Sequence, residues 1–319
     1  MSRNTNSIES AKIAFLFVLL PTIMLILGYI FFWPETDLSI NITLIPMFLG
    51  PILLFIGFII NNKEVGNLIK IIGWIAFAFY WATQPAKLYI EGDGDVFNGL
   101  VCSIGVYVLS YFAYHEWLSL KRKETTGCLN WIAGASGISG LVYYIIERTP
   151  LYDWMIKSTA DQSAWVANVI IGNTETRGID IFYNGEYVVT IIFACTAIQA
   201  MAIFIGMIGA LPKVEIKKRV YCILVTLIPI YFLNLFRNAM VVYLVGNNIT
   251  DFNIAHNFLS KTGALITLII LLFIVIKIIP QVLDEIICIT DLHKRNGPLE
   301  KYAKKLIGRK KQNEPSKRF

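Results

Sequence analysis

From Tyr187 to Leu211 the chain runs for twenty-five residues, YVVTIIFACTAIQAMAIFIGMIGAL, without one charged side chain. A bilayer's hydrocarbon core is crossed by roughly 20 apolar residues in a helix, so this run predicts a membrane-spanning helix. Similar runs recur at about 12–33, 42–61, 67–83, 97–119, 128–147, 220–246 and 262–287. The expected fold class is an all-α integral membrane protein with about eight transmembrane helices. Composition agrees, since only 16% of residues are charged, against roughly 25% in soluble domains. The first run, Ala11–Trp33, exceeds the ~7–15-residue apolar core of a cleaved signal peptide and has no small-residue cleavage site behind it. It reads as a retained span.

Lys and Arg then orient the chain, because cytoplasmic loops carry their excess. With eight spans and a cytoplasmic N-terminus, 21 of the 28 Lys/Arg residues fall inside and five outside; Arg237 and Lys277 lie within spans. Both termini are therefore expected in the cytoplasm. Trp33, Trp81, Trp117 and Trp131 near span ends fit interfacial anchoring. The net charge of +6 is concentrated after residue 290, where Asp291–Phe319 holds ten Lys/Arg and three Asp/Glu. The chain thus divides into a polytopic domain, 1–290, and a basic cytoplasmic tail, 291–319. Lys304, Lys305, Arg309, Lys310 and Lys311 suit anionic lipid headgroups, and no nucleic-acid partner is expected.

The longest outside segment, Arg148–Glu186, predicts a small extracytoplasmic cap between the fifth and sixth spans. Leu151–Ile170 has amphipathic spacing, with Trp154 and Trp165 on it, suited to the outer interface. Residues 179–183 and 187–189 flank Asn184–Gly185, a favoured two-residue hairpin turn.

The five cysteines, Cys102, Cys128, Cys195, Cys222 and Cys288, show no CxxC spacing, so neither a disulfide framework nor a metal site is expected. No cofactor is expected either. Four of the five read as small buried residues. Cys195 differs in its company. On a helix entered from outside near Tyr187, it lies about 12 Å below the outer surface. Arg237, nine residues before its span exits near Gly246, lies about 14 Å below the same surface. A mid-span arginine costs about 2.5–3.5 kcal/mol on the insertion scale, and Asn234 and Asn238 beside it offer polar partners. A guanidinium there can hold a carboxylate, a phosphate or a developing oxyanion. His256, in the following outer loop, can act as base and acid beside a thiol. Nucleophile, cation and base in one outward-facing pocket suit acyl transfer on an exported substrate. Thr196 and Gln199 flank the thiol as supporting groups. Lys277, about 22 Å from the outer surface, reads as snorkelling, with a supporting role as the alternative.

Two other readings compete. Gly134–Ala135–Ser136–Gly137 looks like the GxSG of rhomboid intramembrane serine proteases, but small residues in a span ordinarily serve close helix packing. An anion or lipid transporter could use Arg237, although the chain lacks the internal repeat and paired broken helices of such folds.

Ala194-Cys195-Thr196-Ala197-Ile198-Gln199-Ala200, Asn234-Leu235-Phe236-Arg237-Asn238 and His256 together resemble the signature of the exosortase/archaeosortase family. The likeness covers the last four or so spans; the first half matches in hydropathy and span count only. It implies a cysteine transpeptidase of an archaeal cell membrane. Such an enzyme acts on secreted proteins bearing a C-terminal Pro-Gly-Phe-type motif, a hydrophobic helix and a basic end, and passes the new C-terminus to a membrane lipid. The resemblance gives Cys195 the role of acyl-forming nucleophile, His256 that of base, and Arg237 that of stabilising the tetrahedral intermediate or orienting the thiolate. Another basic residue, Lys277, is the alternative third member. Ala197 and Ala200 stand where the family is associated with Gly and Ser.

Overall fold

The computed structural model describes residues 2–32, 36–90, 96–252 and 254–312. Trp33 and the side chains of Arg309, Lys310 and Lys311 lie outside the described residues. In chain order the helices are α1 (Ser2–Phe32), α2 (Asp37–Ile59), α3 (Lys63–Ala82), α4 (Gln84–Ile90), α5 (Val96–Arg122), α6 (Gly127–Glu147), α7 (Leu151–Ile171), α8 (Ile198–Gly209), α9 (Ile216–Gly246), α10 (Lys261–Ile278), α11 (Gln281–Thr290) and α12 (Pro298–Gln312). Among the described residues six helices are long and apolar enough to cross a membrane, or seven if the bent pair Thr262–Ile278 and Gln281–Arg295 counts as one span. The protein is an all-α integral membrane protein with one small sheet.

Two expected spans are corrected. The run 187–211 is not one helix. It holds a strand, β3 (Glu186–Thr190), a 3-10 turn at Phe193–Thr196 and the twelve-residue α8. The reason is local: Val188, Val189, Thr190, Ile191 and Ile192 are β-branched and favour a pleated strand over a helix. The run 262–287 is interrupted at Ile279 and Pro280, since proline cannot donate the hydrogen bond that would carry the helix through.

The chain forms two compact units, residues 1–134 with 285–319, and residues 135–284. In the first, α3 packs between α2 and α5. Gly50 lets α2 approach the Phe77 backbone so closely that a Cβ there would sit 2.8 Å from Phe77 Cβ, the small-residue contact that apolar solvent favours. This unit also buries charge that hydropathy did not reveal. Lys70 Nζ pairs with Glu116 at 3.0 Å, both about 1% exposed, and donates to Asn130 Oδ1. Lys70, within the expected span 67–83, is thus a buried partner.

The same unit corrects one further expectation. Cys128 and Cys288 form a disulfide across 160 positions, a separation no sequence spacing signals. The segment after residue 290 begins as built structure. Arg295 donates to the His115 carbonyl and Ser119 Oγ and pairs with Glu124. Glu300 accepts from the hydroxyls of Tyr111 and Tyr114 and pairs with His115.

The second unit is arranged about α9, which packs on α7, α8 and α10. Between α7 and α8 lies a three-stranded antiparallel sheet of β1 (Thr174–Arg177), β2 (Asp180–Tyr183) and β3, in the order β1-β2-β3. The β2–β3 turn is Asn184–Gly185, with φ of 52° and 82°. Both residues in the left-handed region make the hairpin turn that Asn-Gly favours. Trp154 and Trp165 are exposed on α7, whose other face buries Ile156, Ala160, Ser163, Ala164 and Ala167.

Candidate active site

Beyond β3 the chain stays extended through Ile192, with Val189 and Ile191 buried and Ile192 exposed, as alternation on a strand requires. From Phe193 it tightens into the 3-10 turn, which buries Phe193, Cys195 and Thr196. Cys195 N–H donates to Ile192 O at 2.8 Å and the Thr196 hydroxyl donates to Phe193 O at 2.7 Å. Ala197 follows with φ of 59°, turning the chain into α8. The fully buried Thr196 therefore serves the turn. Gln199 is exposed on α8.

Cys195 is 4% exposed and packs among Ile156, Ala160, Ile198, Leu235 and Ala239. Its carbonyl accepts two hydrogen bonds from α9, from Asn234 Nδ2 at 2.7 Å and Asn238 Nδ2 at 3.2 Å. Asn234 and Asn238 are one helical turn apart and share a face. Asn238 Oδ1 accepts from Arg237 Nη2 at 3.1 Å. Cys195 lies within electrostatic reach of the Arg237 guanidinium, and Arg237 Nε is buried without a hydrogen-bond partner. Among the described residues no carboxylate pairs with Arg237.

Cys195, Asn234, Arg237 and Asn238 thus form one connected group, through contacts that replace the helical depth reckoning. His256 belongs to a wide π-type turn, Ile254–Ser260, that packs on α9 and α10; its side chain lies outside the described residues. Lys277 is exposed in the last turn of α10, and among the described residues no hydrogen bond or ion pair joins it to Cys195. Sequence reading missed two residues of α7. Ser163 Oγ accepts from Asn238 Nδ2 at 3.1 Å, and Gln162 Oε1 accepts from the Tyr231 hydroxyl at 2.5 Å. The available signal was Ser163 itself, a hydroxyl on the helix's apolar face.

Ala135 and Ser139, on either side of Ser136, sit in a packing contact. A Cβ on Gly206 of α8 would lie 2.1 Å from Ser139 Oγ and 2.3 Å from Ala135 O of α6, so the small residues of this stretch admit a neighbouring helix.

The model of the transmembrane exosortase family matches residues 70–276. The chain belongs to that family. It is also 21% identical to archaeosortase A of Haloferax volcanii, over 71% of this chain and 85% of that protein. No solved structure matches the chain. Exosortase-family membership makes this multi-pass membrane protein a processing enzyme for proteins that carry sorting signals. The family match encloses both the thiol and the α9 group that holds its carbonyl.

Proposed function

We propose that this exosortase-family chain is a membrane-embedded cysteine transpeptidase. It cleaves a C-terminal signal, comprising a Pro-Gly-Phe-type motif, a hydrophobic helix and a basic end, from secreted or surface proteins. It then passes the new C-terminus to a membrane lipid. Cys195 attacks the scissile carbonyl as thiolate, its proton passing to His256. The C–N bond breaks as His256 returns that proton to the leaving amine, leaving a thioester on Cys195. A lipid nucleophile, losing a proton to His256, attacks the thioester, and the thiol is regenerated. Arg237 stabilises the oxyanion of both tetrahedral intermediates.

The observation that carries this reading is an arginine that pairs with no carboxylate among the described residues, joined through the Asn238 side chain to a buried, unbridged cysteine. A guanidinium held in a span without a carboxylate costs stability, and a charge that develops only during reaction gives it a use. In this reading the chain crosses an archaeal membrane eight times, counting the short α8 and the bent pair, with both termini in the cytoplasm, as the Lys/Arg distribution supports, and with Cys195 toward the outer side. The name archaeosortase A on the relative supports the archaeal setting and the sorting chemistry.

The test co-expresses the chain with a surface protein bearing the three-part tail and follows its processing by gel shift. Cys195→Ala is expected to abolish processing and Ser136→Ala to preserve it. Processing that survives Cys195→Ala sinks the cysteine mechanism.

A further inference from the structure

We infer that Ser163 is a positioning residue of this site, acting on Cys195 and Arg237 through the side-chain amide of Asn238; this rests on the reading of Cys195 as nucleophile. Ser163 is fully buried on α7, beside Ala160, Ala164 and Ala167 and one turn from the buried Thr159. A hydroxyl among such neighbours is costly unless bonded, and the bond it makes is to Asn238.

Asn238 has three neighbours with different demands. The Cys195 carbonyl can only accept, the Arg237 guanidinium can only donate, and the Ser163 hydroxyl can do either. The observed orientation satisfies all three. One Nδ2 proton goes to Cys195 O and the other to Ser163 Oγ, while Oδ1 takes the Arg237 proton. A flipped amide would set oxygen against oxygen at Cys195 and donor against donor at Arg237.

Ser163 supplies the third point that stops the amide rotating between these partners. Without it, one Nδ2 proton is left unpaired in an apolar core. The amide can then turn to repair that loss only by weakening its hold on the Cys195 carbonyl or on the guanidinium. The adjacent Gln162–Tyr231 bond ties α7 to α9 two turns before Asn238, so the helix carrying Ser163 is itself held. The cap helix α7 is thereby part of the machinery that sets the thiol against its cation.

The test uses the full chain purified in nanodiscs, with Cys102→Ser and Cys222→Ser so that Cys195 is the thiol scored. Ser163→Ala and Ser163→Thr are compared with the parent. Two readouts are taken: processing of a synthetic peptide with the three-part tail, and the time course of Cys195 alkylation by iodoacetamide at one fixed pH. Ser163→Ala is expected to lower turnover roughly tenfold at saturating peptide, with KM held within about twofold. Alkylation of Cys195 slows, because the guanidinium is held less firmly by the thiol. Ser163→Thr, which keeps the hydroxyl, restores both.

Equal loss in the alanine and threonine variants would make Ser163 a packing residue and overturn the inference. So would an alkylation time course, or resistance to the reagent, that is the same in parent and Ser163→Ala. Cys195→Ala is run alongside. Peptide processing that survives it defeats the proposed chemistry, whereas the alkylation comparison judges Ser163 independently of activity.

Discussion

Asn234 Nδ2 lies 2.7 Å from the carbonyl oxygen of Cys195, so the α9 helix grips the thiol-bearing residue by its backbone. The side chain of Cys195 is left for other work, and its position follows from a peptide group clamped by two amides.

Replacing Asn234 by Ala removes the shorter clamp and leaves a buried carbonyl with one donor. The expected loss is about 1–3 kcal/mol of stability, read as a lowered melting temperature in nanodiscs, together with reduced processing. Asn234→Asp should be worse, because an ionised carboxylate offers the Cys195 carbonyl no donor. An Asp variant as active as the parent would show that the clamp does not matter.

Ala197 carries a Cβ at φ 59°, where an L-residue costs about 1–2 kcal/mol. Glycine relieves this but enlarges the unfolded ensemble by about 0.4–1 kcal/mol, so Ala197→Gly should raise the melting temperature slightly. Ala197→Val should lower it clearly, since β-branched residues fit the left-handed region poorly. The left-handed backbone at this position sets that order. Equal melting temperatures for the Gly and Val variants would refute it.

Lys70 and Glu116 form a buried pair. Removing one partner strands the other charge, so Lys70→Met alone should cost about 3–5 kcal/mol. Lys70→Met with Glu116→Leu removes both and should recover most of that loss. Thermal unfolding of the two singles and the double closes the cycle; additive losses would mean the residues do not interact.

Glu300 sets a pH dependence. Burial alone would raise its carboxyl pKa, but the His115 contact, a backbone hydrogen bond and the Tyr114 hydroxyl outweigh it and lower the value from 4.5 to about 2. A carboxyl depressed on folding contributes stability above its unfolded pKa and loses it as pH falls toward the folded value. The segment around α12 should therefore stay docked above about pH 5 and loosen progressively from pH 4.5 toward 2. Limited pepsin digestion across that window checks this: cleavage after residue 290 should rise as pH falls, and Glu300→Gln should flatten the response.

Much of the architecture was legible because long apolar runs have one solution in lipid. The Asn184–Gly185 turn was legible because its dipeptide specifies two positive φ angles. The grouping of Cys195 with Asn234 and Arg237 was reached from the sequence, although by way of a helix that does not exist there. Tyr187–Leu211 misled because hydropathy cannot separate a buried strand from a buried helix, and its β-branched start was outvoted by its length. The Lys70–Glu116 pair, the Cys128–Cys288 bridge and the hold of Ser163 on Asn238 join positions far apart in sequence. No local pattern announces such pairings.

The extended stretch that leads into the Cys195 turn makes its facing a question of parity. Val189 and Ile191 point inward because they lie two residues apart on extended backbone. Inserting or deleting a single residue between Gly185 and Val189 would exchange the inward and outward faces of this stretch, and the turn that holds Cys195 would be entered from the wrong side. Length there can change without reversing the faces only in steps of two.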